Sequence, residues 1–270
     1  MRHTDPVLNV ISLGRRTLAL LVTGLLLAMV QPVTDRSVQD VPLGPAAASA
    51  GKARPAVVEV RTIGRTVKNR AILAWRLGVP SAKRKVVVLG AMHGNETGPS
   101  RILYNLRDGR KITGADIWVV PQYNRDGIVR RTRQNAQGVD LNRNYPRNWK
   151  RMGGATNSGP RPASEPETRA VMAFLREVRP NYVVSFHQPL RGVGRTVKRG
   201  APLVQRLHRG LRLPVKSFNC DGVCHGTMTE WFNANFGGVA VTVEYGRGVS
   251  RKQATRTGPT GLLRAVGARR

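Results

Sequence analysis

The sequence predicts an α/β fold: a single domain with a mixed, centrally parallel twisted sheet covered by helices on both faces. Three observations predict it. Short runs dense in Val, Ile and Leu alternate along the chain with stretches of helical period, the pattern of βαβ units. The runs at Lys85–Ala91 and Asn181–Phe186 read as strands buried on both faces, as the centre of a parallel sheet requires. Val57–Arg61 and Arg70–Arg76, around Gly64, read as a hairpin, so the sheet is not parallel throughout.

The elements follow in order. After the hairpin and the Lys85–Ala91 strand, Pro99–Leu106 reads as a helix and Asp116–Pro121 as the next strand. From Gln122 to Gly159 no period is sustained and Asn, Arg and Gly are frequent; a loop of that length is usually functional. Ser164-Glu165-Pro166-Glu167 has the form of a capping box, with proline in the first turn where its missing N–H costs nothing. Val171, Phe174, Leu175 and Val178 then recur on one helical face. The Asn181–Phe186 strand follows, then helices at Ala201–Leu211 and Gly226–Asn235. A strand at Val239–Glu244 and a helix at Pro259–Ala268 close the chain.

At 270 residues the chain is long enough to bury a full core. Its net charge is +30, from 45 Lys+Arg against 15 Asp+Glu. The arginines are scattered, without a basic block interleaved with aromatic residues, so the charge favours association with polyanions or carboxylate-rich ligands and does not indicate nucleic acid.

Residues 1–50 read as a segment apart, a signal peptide or amino-terminal anchor plus linker, ahead of a catalytic domain at 51–270. Thr17–Val30 is mostly apolar but short for a membrane span, Arg15-Arg16 precedes it as in a twin-arginine export signal, and Ala48-Ser49-Ala50 offers a small-residue cleavage site. The expectation is a secreted or cell-envelope protein whose membrane contact is confined to this segment. In an oxidising compartment Cys220 and Cys224 suit a small-loop disulfide, with two free buried thiols or a metal-binding pair as the alternatives.

The chemistry gathers at strand ends. His93 and Glu96 follow the Lys85–Ala91 strand, His187 ends the Asn181–Phe186 strand, and Glu244 ends the last one. Ligands of open α/β sheets bind at the carboxyl ends of the strands. Two imidazoles and a carboxylate form a zinc set that leaves one position open for chemistry.

With these residues, the sequence resembles the zinc carboxypeptidases, the carboxypeptidase A-like family. The motifs are His93-Gly94-Asn95-Glu96, Gly138-Val139-Asp140-Leu141-Asn142-Arg143-Asn144-Tyr145-Pro146, Ser185-Phe186-His187 and Thr242-Val243-Glu244. The likeness runs over about residues 56–266 and is greatest to short bacterial members similar to murein peptide amidases, which trim cell-wall stem peptides.

The resemblance implies one Zn2+ ion held by His93, Glu96 and His187, with Asp140 orienting the His93 ring. It implies that Glu244 is the general base and that Arg133 polarises the scissile carbonyl. It also implies that Asn142 and Arg143 clasp the substrate's terminal carboxylate. The chemistry suits these roles: a carboxylate shuttles a proton to the leaving nitrogen, a nearby cation keeps it ionised, a permanent guanidinium charge meets an oxyanion, and a planar fork matches a carboxylate. The expected reaction is hydrolysis of a terminal amide bond in a peptide with a free carboxylate, which points to peptidoglycan-derived stem peptides as substrates.

Departures from the family pattern leave finer points open. Asn124-Arg125-Asp126-Gly127 stands where the family usually has Asn-Pro-Asp-Gly. Between Tyr182 and Tyr245 there is no tyrosine to match the mobile one of digestive members; His225 is the candidate donor in its place. Asp221 and Glu230 are the acids available to read a basic terminal side chain. Two other functions fit the motifs: a metal-dependent deacylase of N-acyl amino acids, akin to succinylglutamate desuccinylases and aspartoacylases, and a non-catalytic basic envelope-binding protein on the same scaffold.

Overall fold

The computed structural model describes residues 54–218 and 222–270. The expectations for residues 1–50, and those for Cys220 and Asp221, fall outside the described residues. Among the described residues no helix is long and apolar enough to cross a membrane.

Eight strands form one mixed sheet: β1 (Val57–Arg65), β2 (Ala71–Gly78), β3 (Lys85–Gly90), β4 (Asp116–Val120), β5 (Tyr182–His187), β6 (Gly192–Gly194), β7 (Val215–Lys216) and β8 (Val239–Glu244). Their order is β1-β2-β4-β3-β5-β8-β6-β7. β4, β3, β5 and β8 run parallel at the centre, while β1 and β2 form the hairpin edge and β6 lies antiparallel to β8. Six helices accompany the sheet: α1 (Ser100–Arg107), α2 (Arg125–Arg130), α3 (Pro166–Val178), α4 (Ala201–Leu211), α5 (Met228–Asn235) and α6 (Gly258–Ala265).

β3 shows why the central strands are apolar throughout. Its side chains alternate faces. Val86 and Val88 enter a core shared with Leu103 of α1, Leu207 of α4 and Leu262 of α6. Val87 and Leu89 enter the opposite core with Phe174 and Leu175 of α3 and Phe232 of α5. Both faces are covered, so a polar residue has no water-facing side to occupy. The face read on α3 is buried as expected: Val171 and Leu175 are inaccessible, and Phe174 packs edge-on against Trp118.

The structure corrects four local readings. Gly64 is not the hairpin turn: β1 continues to Arg65, and the turn is closed by Asn69 N–H donating to Thr66 O at 2.8 Å. Gly64 instead lies at a register shift in β1, where a Cβ would come within 2.4 Å of the Ala170 Cβ on α3. The Ser164 capping box does not form. The helix begins one residue later with Glu165 at its N-cap, and the Ser164 hydroxyl donates to Glu165 Oε1 at 2.7 Å. Glu167 turns away to accept from Val67 N and Asn135 Nδ2, both at 3.1 Å, because distant partners compete successfully for its carboxylate.

The long loop after β4 is not structureless. It contains α2, capped by Asn124 Oδ1 accepting from Gly127 N at 2.9 Å, and a 3-10 turn at Leu141–Arg143. The edge strands β6 and β7 were not anticipated; they are too short for any period to register.

Candidate active site

Three strand ends build the site. β3 and β5 are adjacent and parallel, as are β5 and β8, so their carboxyl ends emerge side by side. His187 and Glu244 are direct register partners on β5 and β8. The loop after β3 is bound tightly against α2: a Cβ on Gly94 would lie 2.0 Å from the Gly127 carbonyl carbon. That contact sets the position from which His93 and Glu96 reach back over the sheet.

His93, Glu96 and His187 converge, each buried, with one ligand atom apiece inside a 4.8 Å span. His93 Nδ1 lies 2.8 Å from Glu96 Oε1, His187 Nδ1 lies 2.9 Å from Glu96 Oε2, and the two Nδ1 atoms are 3.3 Å apart. Ligand atoms about 2.1 Å from a tetrahedral zinc would stand roughly 3.4 Å from one another. The donor types and spacing therefore fit a zinc ion.

The outer ring nitrogens are held from behind. Asp140 Oδ1 lies 3.1 Å from His93 Nε2, and Ser185 Oγ lies 2.9 Å from His187 Nε2. A proton on each Nε2 leaves both Nδ1 lone pairs for a cation.

The electrostatics fit together. Burial pushes the His93 imidazole pKa down, but Asp140 and Glu96 together push it further up, and it ends above the ordinary value. Burial raises the Glu96 carboxyl, but hydrogen bonds from His187 and His93 outweigh it and hold the group well below the usual carboxylate range. Asp140 is likewise depressed: burial opposes ionisation, and His93 and the guanidinium groups of Arg133 and Arg143 overcome it. Glu244 goes the other way. Burial raises its pKa and the Glu96 charge adds to the rise, while the neighbouring His187, Leu190 N (3.3 Å from Oε2) and His93 work against it.

All the candidate residues except Asp140 line one cavity of about 470 Å³: His93, Glu96, Arg133, Asn142, Arg143, His187 and Glu244. Asp140 sits behind this wall, inaccessible to solvent. Arg133 is 30% exposed and rests on Asp140 Oδ2 through Nε (2.9 Å) and Nη2 (2.8 Å). Asn142 Oδ1 accepts from Met228 N at 3.0 Å, tying the 3-10 turn to the start of α5. Arg143 donates through Nη1 to Asn142 O at 2.8 Å, and its Nε is buried without a hydrogen-bond partner.

Cys224 and Glu230 also border the cavity, whereas His225 is not among its described lining residues. Cys224 is disulfide-bonded.

One residue escaped the sequence reading. Gln188 follows His187 and clamps three loops: its N–H donates to Glu96 Oε2 (3.2 Å), its Oε1 accepts from Gly98 N (3.0 Å), and its Nε2 donates to Gly246 O (2.7 Å) and Arg247 O (2.8 Å). Nothing in the sequence marks it, because every partner is distant along the chain.

The zinc carboxypeptidase family model matches residues 47–189, more than half of the chain. The protein belongs to the zinc carboxypeptidase family. The match ends before β8, so Glu244 stands on geometry and on its Thr242-Val243-Glu244 motif. Murein peptide amidase A of Escherichia coli K12 is 35% identical over 138 residues, which are 44% of this chain and 55% of that protein. The chain thus spans about half the length of that relative. The crystal structure of murein-tripeptide amidase from Escherichia coli O157 superposes with a TM-score of 0.62 at 26% identity, covering 79% of this chain and 93% of that one. Carboxypeptidase A of Helicoverpa armigera gives a TM-score of 0.66 at 19% identity, covering 79% and 69%, a likeness of fold.

Proposed function

We propose that the protein is a zinc-dependent carboxypeptidase or amidase that hydrolyses the terminal amide bond of a peptide bearing a free carboxylate, with a cell-wall stem peptide as substrate. The observation that carries this reading is the convergence of His93, Glu96 and His187 on one wall of a cavity that Glu244, Arg133 and Arg143 also line. The partial likeness to murein peptide amidases supports the choice of substrate.

His93, Glu96 and His187 would hold the metal. A zinc ion there supplies a Lewis acid that brings the pKa of a water to about 7, so that a strong nucleophile exists at neutral pH. Glu244 accepts the proton of the attacking water and delivers it to the leaving nitrogen. Its place beside His187 in register keeps its carboxylate at the mouth of the ligand set. Arg133 presents a permanent positive charge to the carbonyl oxygen as it gains negative charge. Arg143 binds the substrate's terminal carboxylate; its unpartnered buried Nε is a donor that such a ligand would satisfy. Asp140 orients both His93 and Arg133 and so couples ligand geometry to carbonyl recognition.

The same reading includes export. Residues 1–50 would direct the protein out of the cytoplasm, as a cleaved signal or as an anchor, and peptidoglycan fragments are found on that side.

The test is incubation of the purified protein with L-Ala-γ-D-Glu-diaminopimelate and a panel of plain peptides, with and without chelator, reading products by mass. Chelator-sensitive release of diaminopimelate supports the stem-peptide reading. Release of terminal residues from plain peptides would make it a general carboxypeptidase. Zinc binding without turnover of any peptide would transfer the site to an N-acyl amino acid deacylase.

A further inference from the structure

Helices α4 and α6 meet backbone to backbone. A Cβ on Gly261 would lie 2.1 Å from Gly210 O, and one on Gly210 would lie 2.6 Å from Gly261 O. Both glycines line a hollow of about 260 Å³, to which neither contributes a side chain.

Four arginines line the same hollow. Arg209 lies in the last turn of α4 and Arg212 caps that helix; Arg256 lies in the π-helical turn Gln253–Thr257, and Arg264 on α6. The other lining residues are glycine and threonine, so no carboxylate lines the hollow. All four arginines are exposed, and no guanidinium among them has a hydrogen-bond or ion-pair partner among the described residues. Arg206, also on α4, shows the contrast. It donates through Nε to Ala265 O at 2.7 Å and so ties α4 to α6. The four arginines of the hollow tie nothing together. A cation suits the last turn of a helix, which gives Arg209 and Arg264 a weak reason of their own. It does not account for four arginines gathered from three elements with no acid among them. Like charges held together repel, and a bound anion relieves that repulsion.

We propose that the hollow between α4 and α6 is an anion site in which Arg209, Arg212, Arg256 and Arg264 hold a phosphate group, either free or borne on a lipid headgroup. None of its lining residues lines the active-site cavity, so the inference stands apart from the reading of the metal centre. Guanidinium forks pair with both phosphate and carboxylate. A carboxylate offers two oxygens in one plane, whereas a phosphate is tetrahedral and offers oxygens in several directions. Forks arriving from three elements therefore suit phosphate better.

The experiment titrates the zinc-loaded protein with inorganic phosphate at low ionic strength, by calorimetry. Two variants each remove four positive charges. The first replaces Arg209, Arg212, Arg256 and Arg264 with Gln. The second replaces Lys68, Lys83, Arg110 and Lys111 with Gln; these are exposed, and their side chains also lack partners among the described residues. A charge-assisted hydrogen bond is worth about tenfold or more, but water and salt screen exposed groups, so the four arginines together are counted as about tenfold. Phosphate Kd should rise by at least about that factor in the first variant and by less than about twofold in the second. If the first variant fails to fold, Arg256→Gln with Arg264→Gln takes its place, with an expected rise of at least about threefold.

Sedimentation with phosphatidylcholine vesicles, with and without phosphatidylglycerol, separates the two sources. Saturable phosphate binding that depends on the hollow assigns a free phosphate. Phosphatidylglycerol-dependent sedimentation lost in the first variant and kept in the second assigns a lipid headgroup. Three results overturn the site: equal losses in both variants, which would leave only net charge; no loss in the first; or no binding of wild type to either probe. Succinate bound as tightly as phosphate would overturn the assignment to phosphate.

Discussion

Asp140→Asn separates orientation of the site from stability of the fold. Asp140 is inaccessible to solvent, and its Oδ1 faces His93 Nε2 (3.1 Å) and accepts from Asn142 N (2.9 Å). Its Oδ2 accepts from Arg133 Nε (2.9 Å) and Nη2 (2.8 Å). Asparagine keeps the shape and removes the charge. Its carbonyl can remain toward His93 and Asn142, so the amide NH2 must face Arg133, donor against donor.

Each hydrogen bond to a charged group is worth about 1.5–3 kcal/mol. Arg133 is 30% exposed, so water recovers much of that loss. The expected destabilisation is about 1–2 kcal/mol, or about 2–8 °C in Tm. At the metal, a weaker acceptor at Nε2 makes Nδ1 a poorer ligand, and zinc affinity should fall about 10–100-fold. A second effect has the opposite sign. Without the Asp140 charge the His93 pKa falls, and protons compete less with the metal. That relief fades once the pH is well above the imidazole range, so the comparison belongs at about pH 8 or higher. Zinc affinity is read by chelator competition, and thermal unfolding of the metal-free protein is followed in parallel. Unchanged zinc affinity with a lowered Tm would refute the reasoning and leave Asp140 as an anchor for Arg133 and the 3-10 turn.

Further outcomes follow from the same geometry. Glu244→Gln should lower kcat by about 10²–10⁴ while leaving zinc stoichiometry intact, measured by turnover and metal analysis; a comparable kcat would assign proton transfer elsewhere. Gly94→Ala forces a Cβ onto the Gly127 backbone and should cost about 1–3 kcal/mol, lowering Tm and zinc affinity together. Glu167 supplies a pH dependence. Burial raises its pKa and the nearby Glu165 charge adds to the shift. Its protonated form is therefore favoured by folding, so its contribution is fully present below the ordinary glutamate range and lost as pH rises through the raised value. Glu167→Gln should flatten the fall in stability as the pH rises above the ordinary glutamate range, and an unaltered urea-unfolding profile would contradict this.

Most of the fold and of the candidate site was legible because it is written in local patterns. The double-faced burial of β3 and β5 shows as continuous apolar runs, and the alternation of strands with helices implies a parallel centre, so residues just past those strands share one edge. Hence His93, Glu96, His187 and Glu244 could be named from position and donor chemistry, and the family motifs added Asp140, Arg133, Asn142 and Arg143. What stayed hidden depends on contacts between residues far apart in the chain. Glu167 looks like half of a capping box until Asn135 and Val67 claim its carboxylate. Gly64 looks like a turn until Ala170 occupies the space above it. Gln188 has no signature, because its four hydrogen bonds run to other strand-end loops. The sequence by itself determined which residues carry the chemistry and on which edge of the sheet they stand, since period and residue type are local properties. Only the tertiary structure decided which nitrogen of each histidine faces the shared centre, and that Glu230 and Arg195 line the same cavity as the candidate metal ligands. Those facts rest on strand register and loop packing, where competing long-range partners decide.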